Sequence, residues 1–157
     1  MPAAVLIAIL AAAAPIFARA SESLFGLAPC QLCLWQRMPY WVAFVLAVLA
    51  ALGWHRRALL GLAALAALAS AAIAAFHMGV EFRWWPSPLA GCQAPAIGPA
   101  ASLEEMMASL APAPTKPCDE PAFLIPGVPV SMAAMNLIYG AALAGLAWAV
   151  ARKEPAR

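Results

Sequence analysis

The chain has 157 residues, of which 66% are hydrophobic and only 10% charged, with a formal net charge of +2. Soluble proteins average roughly 45–50% apolar and about 25% charged residues, so this composition excludes an ordinary soluble domain and points to one compact membrane unit. The basic residues are scattered rather than clustered, which argues against nucleic acid as a partner.

A helix needs roughly 20 residues, with a range of about 17–25, to cross the hydrocarbon core. Four apolar segments meet that need and predict spans over about residues 3–20, 38–54, 58–77 and 129–151. The expected fold is all-α, an integral membrane four-helix bundle, because a helix satisfies its backbone polar groups within its own segment and β-barrel alternation is absent. In the first span, Ala18-Arg19-Ala20 has the small-x-small form of a cleavage site. No Lys or Arg precedes the apolar run, so the segment is read as a retained span rather than a signal peptide. Ala63-Ala64-Leu65-Ala66-Ala67 and Gly140-Ala141-Ala142 supply small residues for close helix approach.

The loop over residues 21–37 carries Pro29-Cys30-Gln31-Leu32-Cys33-Leu34-Trp35-Gln36-Arg37. A Cys-x-x-Cys opening an apolar stretch reads as redox chemistry at a membrane surface. On a helix start the two thiols share a face, and Arg37 follows Cys33 at i+4 on that face. The positive end of the helix dipole and Arg37 both favour a Cys33 thiolate. Trp35 belongs with Tyr40, Trp41, Trp54, Trp84, Trp85 and Trp148 near span ends, where aromatic residues anchor at the interface.

Arg56 and Arg57 lie between the second and third spans, and Arg152, Lys153 and Arg157 lie in the tail. By the positive-inside rule these are cytoplasmic, with His55 part of the same solvated turn. The loops over residues 21–37 and 80–127, holding all four cysteines, then face the outer side, where disulfides persist. His77, near the outer end of the third span with Glu81 four residues on, reads either as a helix-end histidine held by Glu81 or as a proton-supplying group.

The long second loop is broken by prolines from Pro86 to Pro126, which exclude regular structure over most of it. One exception is the capping box Ser102-Leu103-Glu104-Glu105, with Leu103, Met106, Met107 and Leu110 at i, i+3, i+4 and i+7. It predicts a short amphipathic helix, lying on the bilayer or packed on the bundle end. Cys92 and Cys118 flank it, and Cys92 is expected to present an accessible sulfur. A four-thiolate zinc site requires two closely spaced pairs. Cys92 and Cys118 are far apart, so no metal site is expected.

The Cys-x-Leu-Cys-x-x-Gln-Arg element, four spans, Trp84-Trp85-Pro86-Ser87-Pro88 followed by Cys92, Cys118-Asp119-Glu120, and Ser131-Met132-Ala133-Ala134-Met135-Asn136 together resemble the disulfide bond formation protein B (DsbB) family of bacterial inner-membrane oxidoreductases. The resemblance covers nearly the whole chain. It implies a membrane oxidase that reoxidises a periplasmic DsbA-like thiol oxidase of thioredoxin fold and passes the electrons to a quinone, either ubiquinone or menaquinone. It further implies that Cys92 and Cys118 form the pair meeting the partner, that Cys30 and Cys33 form the pair beside the quinone, and that Arg37 contacts the quinone; the family also has a histidine by the quinone near the position of His77, which leaves a quinone contact open beside the Glu81-held helix end, and Trp35 either borders the quinone or serves only the aromatic belt. A partner thiolate would attack Cys92, the freed Cys118 would attack Cys30, and Cys33 would be released as the thiolate that reduces the quinone. Two other readings stay open: a four-span scaffold with structural disulfides, and a related thiol oxidoreductase dedicated to another partner.

Overall fold

The computed structural model describes residues 2–89, 92, 116–125 and 127–155. It contains the four helices α1 (Pro2–Phe25), α2 (Gln31–Ala51), α3 (Arg56–Glu81) and α4 (Met132–Lys153). All four are long and apolar enough to cross a membrane. Among the described residues there are no strands, only the isolated bridges Cys30 to Lys116 and Phe123 to Ser131. The all-α four-helix bundle is the expected fold, while the short helix expected near residues 102–110 lies outside the described residues.

The helices overrun the apolar segments because polar residues at their ends find partners within the protein. In α1, Ser21 Oγ donates to the Phe17 carbonyl at 2.9 Å and Arg19 pairs with Glu22 at 3.2 Å, so the helix continues to Phe25 instead of stopping near residue 20. Gly26, with φ of +64°, then turns the chain in a conformation that favours glycine. In α2 the start lies at Gln31 instead of near residue 38, because Cys30 is the N-cap. Its sulfur accepts the Cys33 N–H at 3.1 Å, taking the place of the usual Ser or Asp oxygen. The whole Cys-x-x-Cys-x-x-Gln-Arg element therefore occupies the cap and first two turns of a helix. Pro39 inside α2 lacks an N–H, and one turn away Ser70 Oγ donates to the Gln36 carbonyl at 2.8 Å, stitching α3 to this part of α2.

Successive helices run antiparallel. Arg56 at the start of α3 pairs with Glu154 just beyond α4 at 3.0 Å, and at the other end Ser131 Oγ donates to Glu81 at 2.6 Å while also capping α4 by accepting the Ala134 N–H. The core is built mostly of alanine, from Ala4, Ala8 and Ala11 of α1 to Ala144, Ala147 and Ala151 of α4. Small side chains let backbones approach closely, which is how helices pack where lipid offers no hydrophobic drive for association. Gly140 marks a close approach between helices: a Cβ there would sit 3.0 Å from the Tyr40 hydroxyl and 3.1 Å from the Ala71 methyl. The large apolar residues Val5, Leu6, Ile9, Val42, Val45, Leu62, Leu65, Leu68 and Ile138 point outward instead. That inversion of core and surface suits a protein solvated by lipid.

Candidate active site

One end of the bundle gathers all four cysteines. Cys92 and Cys118 are joined in a disulfide, and Cys30 and Cys33 are free thiols. Cys30, Cys92 and Cys118 form a buried cluster with Leu32 and Val80. Two backbone bonds hold the cluster: Lys116 N–H donates to the Pro29 carbonyl and Cys118 N–H to the Cys92 carbonyl, each at 3.1 Å. The expectation of an accessible Cys92 differs from this arrangement, in which Cys92 is only 4% exposed. The cause is the bridge at Lys116, which folds the cysteine arm down over the α2 cap.

His77 sits between the two pairs. Its Nε2 lies 3.5 Å from Cys30 Sγ and donates to the Cys118 carbonyl at 3.2 Å. That bond needs a proton on Nε2, and Nδ1 correspondingly accepts from Gln36 Nε2 at 3.0 Å. The chain of bonds continues across the bundle: Asn136 Nδ2 donates to Gln36 Oε1 at 2.9 Å, and the Tyr40 hydroxyl donates to Asn136 Oδ1 at 2.7 Å. The Cys118 carbonyl accepts only and so favours the Nε2–H tautomer of His77, and the run of bonds from Tyr40 through Asn136 and Gln36 is oriented to match it. The Glu81 carboxylate is more distant from His77 Nε2, at 3.9 Å, and is engaged by Ser131. Cys30 holds its thiol proton above the ordinary cysteine range, first because of its side-chain hydrogen bond with Cys33 and then because of burial.

On the other side of Cys33 a cavity of about 370 Å³ opens between α1, α2 and α4. Cys33, Gln36, Arg37, Tyr40 and Asn136 line it, together with Glu22. Arg37 forms an ion pair with Glu22, and its Nε is buried with no hydrogen-bond partner among the described residues. An unpaired guanidinium N–H beside an apolar cavity fits a ligand that brings a carbonyl oxygen. The cavity also has the size of a small-molecule site, typically about 300–1,000 Å³. A quinone ring has both the size and the carbonyl oxygen that the cavity and Arg37 can take.

A family model describing disulfide bond formation protein DsbB matches residues 2–150. The chain belongs to the DsbB family. Searches of curated proteins and of solved structures each return no match. Membership makes this DsbB-family chain an oxidoreductase of disulfide formation, and the four apolar helices make it a multi-pass membrane protein.

The sequence-predicted residues do not all meet at one place. Cys30, Cys92, Cys118 and His77 are together in the buried cluster, Cys33 and Arg37 line the cavity, and Trp35 lies apart from both with 53% of its surface exposed. His77 is not among the cavity-lining residues. Glu22, Gln36, Tyr40 and Asn136 are site residues that sequence reasoning did not single out. For Gln36 and Asn136 a signal existed, since each is a polar residue in a mostly apolar helix within a motif that carries the resemblance.

Proposed function

We propose that the chain reoxidises a periplasmic DsbA-like thiol oxidase and delivers the electrons to a membrane quinone, ubiquinone or menaquinone, from the bacterial inner membrane with both termini cytoplasmic. The observation that carries this reading is the placement of the first pair: Cys30 shares a buried cluster with Cys92 and Cys118, while Cys33, packed against that cluster, also lines the cavity. A dithiol exchanging with one disulfide on one side and emptying its electrons on the other needs that arrangement.

The exchange begins with both pairs as disulfides. A partner thiolate attacks Cys92 and displaces Cys118; the partner's second thiol then releases Cys92, so the partner leaves as a disulfide and the arm is a dithiol. Cys118 attacks Cys30, displacing Cys33, and Cys92 resolves that bond, which restores the Cys92–Cys118 disulfide and leaves Cys30 and Cys33 carrying the two electrons. Cys92 has to be uncovered for the first step and buried for the second. A quinone in the cavity supplies an acceptor for two electrons and two protons. Arg37, fixed by Glu22, offers its Nε–H to a carbonyl oxygen and its charge to an oxygen on which negative charge develops. Cys33, in the first turn of α2, has its sulfur stabilised as a thiolate by the helix N-terminus. His77 keeps its Nε2–H toward the Cys30 side of the pair.

The test combines the purified protein, a reduced thioredoxin-fold oxidase and a soluble quinone, with quinone absorbance followed over time. Catalytic loss of that absorbance that vanishes with Cys33→Ser is expected. Absence of any cysteine-dependent quinone reduction would overturn the reading.

A further inference from the structure

We propose that, when Cys30 and Cys33 are both reduced, they form with His77 a three-ligand site for zinc or a similarly thiophilic divalent ion, and that the ion withdraws the pair from electron transfer. The sulfurs of Cys30 and Cys33 and a ring nitrogen of His77 all lie within 4.8 Å of one another. Zinc bonds of about 2.3 Å to sulfur and about 2.0–2.1 Å to nitrogen, at tetrahedral angles, put ligand atoms roughly 3.6–3.8 Å apart. Cys30 Sγ and His77 Nε2 already stand at 3.5 Å, so closing the set needs movements of no more than about 1 Å. Two thiolates and one imidazole select borderline-soft ions such as zinc over magnesium or calcium.

The surroundings suit a bound ion in two further ways. A histidine ligating through Nε2 carries its proton on Nδ1 and needs an acceptor there. Gln36 stands 3.0 Å away, and rotation of its amide offers Oε1 in place of the N–H. Asn136 can turn its amide to match, and the Tyr40 hydroxyl serves either polarity. The Cys118 carbonyl loses its donor, as does the longer Asn136 contact to Ser70. The second point is charge. An isolated thiolate in a buried site is expensive, whereas two thiolates around a divalent ion are neutral overall.

Binding involves no electron transfer: two thiols release two protons to solvent and two sulfur–metal bonds form. With Cys30 and Cys33 joined as a disulfide both thiolates are consumed, so the site exists only in the reduced state. The ion would thus compete with oxidation of the pair.

The test titrates zinc into the detergent-solubilised full chain carrying Cys92→Ser and Cys118→Ser, in which Cys30 and Cys33 are the only thiols, against a chromophoric chelator. One equivalent is expected in the reduced protein and none after oxidation of the pair. His77→Asn should weaken binding at least about tenfold, the scale on which losing even an outer-shell partner acts. In the reduced wild-type chain, zinc should slow alkylation of Cys30 and Cys33, as read by peptide mass spectrometry, and this measurement decides the matter if a variant fails to fold. No zinc bound by the reduced protein, equal affinity in His77→Asn, or unslowed alkylation overturns the proposal. None of these readouts uses quinone or a partner protein, so the outcome is independent of the function proposed above.

Discussion

Arg37, in the second turn of α2, is ion-paired with Glu22, in the last turn of α1, and both side chains are largely buried beside the cavity. The pair orients the guanidinium and neutralises a charge that would otherwise be costly at the hydrocarbon boundary. Its terminal nitrogen is thereby committed to Glu22, and Nε is left without a partner.

Arg37→Ala is accordingly expected to raise the Michaelis constant for quinone by roughly 10–100-fold, the equivalent of a charged hydrogen bond of about 1.5–3 kcal/mol. Arg37→Lys keeps the charge but loses the planar fork. It should raise the Michaelis constant while single-turnover oxidation of the partner through Cys92 and Cys118 persists. Glu22→Gln should shift the same constant in the same direction but by less. Steady-state kinetics with a soluble quinone checks all three, and wild-type constants in a folded Arg37→Ala variant would leave Arg37 only an interfacial anchor.

Asn136 joins Gln36 to Tyr40 in the middle of the polar chain. Replacing it with leucine strands the Gln36 carbonyl and the Tyr40 hydroxyl, and each buried group without a partner costs about 1–3 kcal/mol. The variant should melt at a lower temperature in detergent. It should also release the constraint on the His77 tautomer, which nitrogen-15 spectra of the ring can read because the chain has only two histidines. An unchanged tautomer would show that the Cys118 carbonyl alone decides it.

The roles within the second pair separate by trapping. Cys118→Ser leaves Cys92 as a thiol able to hold a mixed disulfide with the partner, whereas Cys92→Ser removes the attacked sulfur. Non-reducing electrophoresis should reveal the adduct in the first variant and not in the second. Equal amounts in both would reverse the assignment.

Orientation is tested by labelling. With Arg56, Arg57, Arg152 and Lys153 inside, a membrane-impermeant thiol reagent applied to reduced spheroplasts should reach Cys92 and Cys118. Because Cys92 and Cys118 are buried as a disulfide here, the reduction step is essential, and the same cells without reductant should label far less. Protection of both cysteines until lysis would place the cysteine end inside.

Much of this was legible in the chain itself. Four apolar runs of spanning length leave a helical bundle as the fold, because backbone groups in lipid have no other partners. The Cys-x-x-Cys element and Arg37 are local, their relation being set by helical spacing, so sequence reading reached them directly. What the linear chain does not carry is the meeting of residues far apart along it. Glu22 as the partner of Arg37, His77 turned toward Cys30 and Cys118 rather than into the cavity, and the run from Tyr40 through Asn136 and Gln36 to His77 each join different helices. Their partners are chosen by how alanine-faced helices rotate against one another, a choice that the repetitive small residues leave open until packing is complete. The burial of Cys92 has the same origin: proline-rich sequence predicts an exposed arm, and tertiary contacts, the bond from Lys116 to the Pro29 carbonyl and that from His77 to the Cys118 carbonyl, draw its cysteines down onto the bundle.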